Sequence, residues 1–279
     1  AIKQFFHLLE QYNIEYYVYD NFLEELKKTE LADFTTVKPF SKSDSLAKLN
    51  VDFMVSLGGD GTLLDTLTLV KDSGVPVMGI NTGRLGFLAN IPEEQIKLAL
   101  EDLFYGKFTT ESRTLLQLKA NKTVFNNEDF ALNDFTIHKR DNSSMVTVET
   151  YLNEEYFNTY WADGVIVATP TGSTGYSLSC GGPIISPDSK NFIITPVAPH
   201  NLNIRPIVIS DESQVQFKVT GRGSNYLISL DSRYEVLDYS YEMTIEKAPF
   251  ALNLLKLNRQ SFIQTLREKL KWGIDSRNE

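Results

Sequence analysis

The sequence predicts an α/β N-terminal domain, residues 1–106, followed by a β-rich C-terminal domain, residues 107–257, with a final helix in 258–279 returning to the first domain. Three observations carry this. An apolar run at 51–57 stops at Gly58-Gly59-Asp60-Gly61-Thr62 and resumes at helical spacing with Leu63, Leu64, Leu67 and Val70, which reads as strand, glycine turn and helix. From about Phe108 the apolar period changes from helical to two: Val146, Val148 and Leu152 alternate with Thr147, Glu149 and Tyr151, and Val215, Phe217 and Val219 with Gln214, Gln216 and Lys218. Helical spacing returns at 258–272, with Phe262, Leu266 and Leu270 on one face before Gly273. A lone helix behind a β domain finds no layer of its own kind there, so it is expected back on the first domain.

Residues 1–50 read as α/β: an opening helix with Phe5, Leu8 and Leu9 on one side, a short aromatic run at 14–18, a helix around 22–28, and a polar stretch to Ser45. Because the chain opens inside a helical pattern, a first strand before Ala1 is expected. After the strand–turn–helix of 51–70, charge and glycine at 71–74 close the helix, and 75–80 is the next buried strand. Its exit, Asn81-Thr82-Gly83-Arg84-Leu85-Gly86-Phe87-Leu88, is a second glycine turn. Loops leaving the carboxyl ends of neighbouring parallel strands share one edge, so the two turns should face one crevice. Pro92 then starts a helix carrying Ile96, Leu100, Leu103 and Phe104 on one face.

Composition bounds the function. With 279 residues, 42% hydrophobic and 23% charged, the chain is an ordinary globular protein large enough for a sizeable core. A net charge of −9 argues against nucleic acid or an anionic membrane as the main partner, since lysine and arginine dominate such contacts. Cys180 is the single cysteine, and His7, His138 and His200 are dispersed, so no disulfide or nitrogen–sulfur metal cluster is expected. No segment reaches the roughly 18 apolar residues of a membrane span and no signal pattern opens the chain, so a cytoplasmic protein is expected.

Four stretches carry chemistry. Gly58, Gly59, Gly61 and Thr62 let the backbone approach a polyanion while the new helix aims amides and its positive dipole end at the same place. Asp60 would repel phosphate directly, which leaves it three roles: a magnesium ion, a hydroxyl to deprotonate, or its own turn. The second glycine turn is the next stretch. Asn133-Asp134 interrupts a strand-like run and is either a turn or a recognition pair, the amide facing a base edge and the carboxylate accepting from amino or hydroxyl groups. Residues 169–177, after the apolar strand 165–168, are rich in glycine and hydroxyls without charge; they are a linker or a surface for sugar, base and neutral amide, with Asp163 able to accept from a carboxamide. A phosphate-holding half and a nucleoside-holding half point to a kinase or a dinucleotide binder.

In this order the four stretches resemble the NAD kinase family over nearly the whole chain, and the run His200-Asn201-Leu202-Asn203-Ile204-Arg205-Pro206 is similar to its bacterial members. The resemblance implies a Rossmann-like, phosphofructokinase-like first domain and transfer of the ATP γ-phosphoryl group to the 2′-hydroxyl of the adenosine ribose in NAD. It implies that Asp60 is the catalytic residue and Gly58, Gly59, Gly61 and Thr62 the phosphate-binding turn. Asp60, Gly61, Phe87, Asn133, Asp134, Asp163, Thr171, Thr174, Gly175, Tyr176, Ser177, Ser179 and Ala198 would bind NAD, with Asp163 and Ala198 near its nicotinamide end. It also implies Mg2+ or another divalent cation brought with ATP, with no direct protein ligands to the metal, and a homodimer or homotetramer. Gly175 stands where alanine is usual, and Asp231-Ser232-Arg233 where aspartate-glycine is usual, so no role is carried to the latter. The rivals are a lipid or sugar kinase sharing the phosphate turn, and a non-catalytic dinucleotide-binding regulatory module.

Overall fold

A computed structural model describes residues 2–29, 37–83, 86–140, 145–257 and 261–271. Arg84 and Leu85 of the second glycine turn, much of the polar stretch before Ser45, and both flanks of the final helix, Trp272 and Gly273 included, lie outside the described residues. The chain divides into two compact units, Ala1–Glu111 with Asn253–Glu279, and Ser112–Leu252.

In the first unit the strands Met54–Gly58 and Val77–Asn81 pair in parallel, and Leu254, in the strand Glu242–Leu257, pairs in parallel with Val77. Val77–Asn81 is buried along its whole length, as the apolar run required of a strand covered on both faces. Its neighbours include the helices Ile2–Gln11 and Ile96–Phe104, whose apolar faces (Phe5, Phe6, Leu8 and Leu9; Ile96, Ala99 and Leu100) join Met78, Ile80, Leu255 and Leu257 in one core. The helix expected from Pro92 begins as a single 3-10 turn, Glu93–Gln95, before becoming α-helical at Ile96. The final helix is Phe262–Leu270, with Leu266 buried.

The second unit is a pair of antiparallel layers. One orders its strands as Ile207–Ser210, Asn191–Val197, Gly164–Ala168, Asp134–Lys139, Asn225–Leu230 and Arg233–Asp238. The other brings Glu155–Ala162, Val146–Leu152 and Val215–Thr220 beside the first half of Glu242–Leu257. Alternation decides which residues meet: Val165 and Val167 enter the core shared with Val148, Val215, Phe217 and Ile245, whereas Ile166 and Ala168 point to the opposite face, under Cys180 and Ile185. The segment after Ala168 thus has an apolar floor to lie on. It forms a 3-10 turn, Thr171–Thr174, and one helical turn, Tyr176–Ser179.

Candidate active site

In the first unit, the strand Met54–Gly58 ends at Gly59, which caps the helix Asp60–Val70. Gly58 is required by packing, since a Cβ there would lie 2.2 Å from Thr62 Oγ1. Gly59 and Gly61 instead face open space, so the amides of the first turn, which have no acceptor inside the helix, stay approachable. Asp60 reaches across to the second glycine turn. Its Oδ2 accepts from the amide of Phe87 at 2.8 Å and its Oδ1 from Leu88 at 3.0 Å and Ala89 at 2.9 Å. Gly86 permits the approach: a Cβ on it would sit 1.8 Å from Oδ1. The two turns expected to face one crevice are therefore tied by one carboxylate, whose occupied oxygens make it first of all a clamp.

In the second unit, Asn133 and Asp134 stand where a strand breaks and restarts, between Phe130–Ala131 and Asp134–Lys139. The segment 169–175 is fastened onto this break. Thr169 donates its amide to the carbonyl of Asn133 at 2.9 Å and its hydroxyl to that of Leu132 at 2.5 Å, and a Cβ on Gly172 would lie 2.0 Å from the Asn133 oxygen. A Cβ on Gly175 would stand 3.9 Å from Asp134 Oδ2. Asp134 is buried and accepts from the Thr136 hydroxyl. Desolvation, reinforced by the charge of Asp231 and opposed by Thr136, pushes its carboxyl up to about 7. Burial, together with the neighbouring Cys180, holds the phenol of the exposed Tyr176 above its ordinary range.

Not every hydroxyl of the segment faces outward. Ser177 is buried with its hydroxyl paired to Thr195 at 2.8 Å, and Ser173 spans Pro170 and Ile185, so these side chains brace the loop from beneath. Of the residues expected at NAD, Ser177 thus turns its hydroxyl inward. Thr171 is also buried, its carbonyl accepting from the Thr174 hydroxyl, while Ser179 is exposed. Asp163 and Ala198 lie elsewhere, at the opposite end of Gly164–Ala168. Asp163 pairs with Lys139 at 2.7 Å and donates its amide to Val197, next to Ala198, which is exposed with φ +43°. The two groups are separated by one five-residue strand, roughly 16 Å at about 3.3 Å per residue.

Three residues that sequence reasoning passed over organise the break. Asp231, at φ +54° in the two-residue turn between Asn225–Leu230 and Arg233–Asp238, accepts from the amides of Leu132 (2.8 Å), Asn133 (2.7 Å) and Asp134 (3.2 Å). Burial pushes its carboxyl up, although the three amides and Arg233 pull it down. Arg233 donates to the carbonyls of Glu128 and Phe130, and Glu235 accepts from the amide of Phe125. The available signal was an inverted alternation on one strand: Tyr234 and Val236 are 69% and 42% exposed while Arg233 and Glu235, which alternate with them, turn inward.

Two family models match the sequence: the ATP-NAD kinase N-terminal domain over residues 3–108 and the ATP-NAD kinase C-terminal domain over 132–257. An NAD kinase of Flavobacterium psychrophilum is 46% identical over 279 aligned residues, covering 99% of this chain and 94% of its own, and one of Cytophaga hutchinsonii is 43% identical at the same coverages. Among solved structures, yeast NADH kinase complexed with NADH superposes with a TM-score of 0.86 at 23% identity, over 100% of this chain and 84% of that one. An NAD kinase from Archaeoglobus fulgidus in complex with ATP gives 0.70 at 28% identity, over 91% and 97%.

Proposed function

The chain belongs to the NAD kinase family, and from that premise we propose how its residues divide the reaction. The chain transfers the γ-phosphoryl group of ATP to the 2′-hydroxyl of the adenosine ribose in NAD, giving NADP and ADP. The ribose oxygen forms the new bond to phosphorus, the bond to the β–γ bridging oxygen breaks, and the hydroxyl proton leaves. Asp60 stands at that hydroxyl. Held by Phe87, Leu88 and Ala89, it fixes the direction of the oxygen's lone pair and receives the proton. Gly58, Gly59, Gly61 and Thr62 face the phosphates.

Asn133 and Asp134 read the adenine edge, Thr171, Thr174, Gly175, Tyr176 and Ser179 line the nucleoside with Ser177 bracing them from beneath, and Asp163 and Ala198 meet the nicotinamide end. The one-strand separation suits an extended dinucleotide. The single observation that carries this assignment is the charge-free segment lying on the Asn133 carbonyl beside the buried Asp134, a surface for a neutral base and sugar and not for phosphate. Among the described residues no three His, Cys, Asp or Glu side chains converge, and both Asp60 oxygens already accept amides. A divalent cation arriving with ATP fits this donor set through the nucleotide's own phosphates. When bound it neutralises charge in the transition state. We further propose a cytoplasmic location and a homodimer or homotetramer, on the family's precedent; no described helix is long and apolar enough to cross a membrane.

NADP formation by the purified protein with ATP and NAD tests the reading. Diacylglycerol phosphorylation in place of NADP would favour the lipid kinase, and NAD binding without turnover the regulatory module.

A further inference from the structure

On the strand Arg233–Asp238 and the turn before it, polar residues occupy alternate positions and grip successive backbone groups of one neighbouring segment. Glu235 holds the amide of Phe125, Arg233 the carbonyls of Glu128 and Phe130, and Asp231 the amides of Leu132, Asn133 and Asp134. The Asp231 amide returns a bond to the Asp134 carbonyl at 3.0 Å, so that strand start is held on both its donor and its acceptor side. Three consecutive amides cannot all aim at one carboxylate unless the chain curls there, which is why the strand breaks between Ala131 and Asp134. Neither Tyr234 nor Val236 could replace this: their side chains leave on the other face.

We infer that Asp231 is a positioning residue for nucleoside recognition, aiming the side chains of Asn133 and Asp134 by curling the main chain that carries them; Arg233 and Glu235 hold the preceding part of the segment, Phe125 to Phe130, which carries neither. The inference rests on the assignment of Asn133 and Asp134 to the NAD base. Asp231 touches no substrate; it acts through the two residues that do. A second effect goes with the first. The groups facing Asp134 are Asp231, Thr136, Tyr176 and Cys180, and of these it is the charge of Asp231 that raises the Asp134 carboxyl.

The test is Asp231→Asn, which keeps the size of the side chain and a residue type tolerant of positive φ but removes the charge and offers one acceptor oxygen to three amides. The KM for NAD should rise about tenfold or more, the scale of one charge-assisted hydrogen bond, while the KM for ATP and the kcat at saturating NAD stay within about threefold of wild type. The pH at which the NAD KM changes should fall, because Asp134 loses the neighbouring charge that raises it. Glu235→Gln, at the far end of the ladder, should lower thermal stability and leave the NAD KM within about threefold. An unchanged NAD KM in folded Asp231→Asn overturns the inference, as does a parallel rise for ATP and NAD. If that variant does not fold, Asp231→Glu, which keeps the charge but displaces it, takes its place with the same expected signature; failure of both to fold makes Asp231 a folding residue and overturns the inference too. Failure of the wild type to form NADP is a different result: it removes the kinase reading, and calorimetric titration of NAD into wild type and variant then decides the Asp231 question alone.

Discussion

Gly86→Ala separates the two jobs open to Asp60. A methyl group on that buried glycine would lie 1.8 Å from Oδ1 of Asp60 and 2.4 Å from its carboxyl carbon. Restoring an ordinary contact of about 3.5 Å moves the carboxylate by roughly 1.7 Å. Its Oδ1 now accepts from Leu88 at 3.0 Å and Ala89 at 2.9 Å, and a displacement of that size breaks both bonds. Hydrogen bonds to a charged acceptor contribute about 1.5–3 kcal/mol each, so the local loss is about 3–6 kcal/mol, shared between carboxylate and turn if the backbone yields as well. A 1 Å misplacement of a reacting group can cost about 100-fold in rate, and the variant should show a kcat reduced by about that factor. Throughout, Asp60 keeps its charge and its identity as a base. The assay is NADP formation at saturating ATP and NAD, with a thermal melt to confirm folding. Turnover within about threefold of wild type would refute the claim that the clamped geometry matters, and leave proton removal as the only contribution of Asp60.

The remaining predictions concern the two acidic residues directly. Asp60→Asn can keep Leu88 and Ala89 on its single oxygen but sets its NH2 against the Phe87 amide, so it should lose about 1–3 kcal/mol of stability; in NADP formation it should lose about 10²- to 10⁴-fold in turnover with NAD binding retained. Activity near wild type would remove Asp60 from the chemistry. Asp134 titrates at about 7 when folded, against 3.8 for an ordinary aspartate, so between those values the folded protein binds the extra proton and stability falls as pH rises. From pH 5 to pH 8, urea melts run in parallel should show wild type losing stability relative to Asp134→Asn, by up to about 1.4 kcal/mol per pH unit crossed below the folded value; a difference independent of pH would show that Asp134 is not held near neutrality.

The strand, turn and helix around Gly58 to Thr62 were legible because local pattern and turn chemistry agree there, and the change of apolar period at Phe108 announced the β half for the same reason. What connects these pieces was not legible. The carboxylate of Asp60 meets Phe87, Leu88 and Ala89 across a stretch of chain that no local rule spans. Asp231 was invisible as a functional residue because its partners are main-chain amides, which leave no mark on the sequence of the segment that supplies them. Ser173 and Ser177 misled in the opposite sense: hydroxyl-rich composition reads as an exposed polar surface, yet these two are buried and bonded inward, and composition cannot say which way a hydroxyl turns. The inward-facing Arg233 and Glu235 broke the rule that charges mark the solvent face of a strand.

Asp60 and Asp231 do one thing twice, in two units of unrelated architecture. A row of successive amides converging on a point is the form in which proteins cradle bound anions. Here each row already contains an anion, supplied by the chain itself. The conformational entropy of bending 87–89 and 132–134 is therefore spent during folding and not at the moment a nucleotide arrives. On the proposed assignment both curled segments meet their ligand already in shape, and the binding energy of NAD and ATP is left for holding the reacting atoms in line.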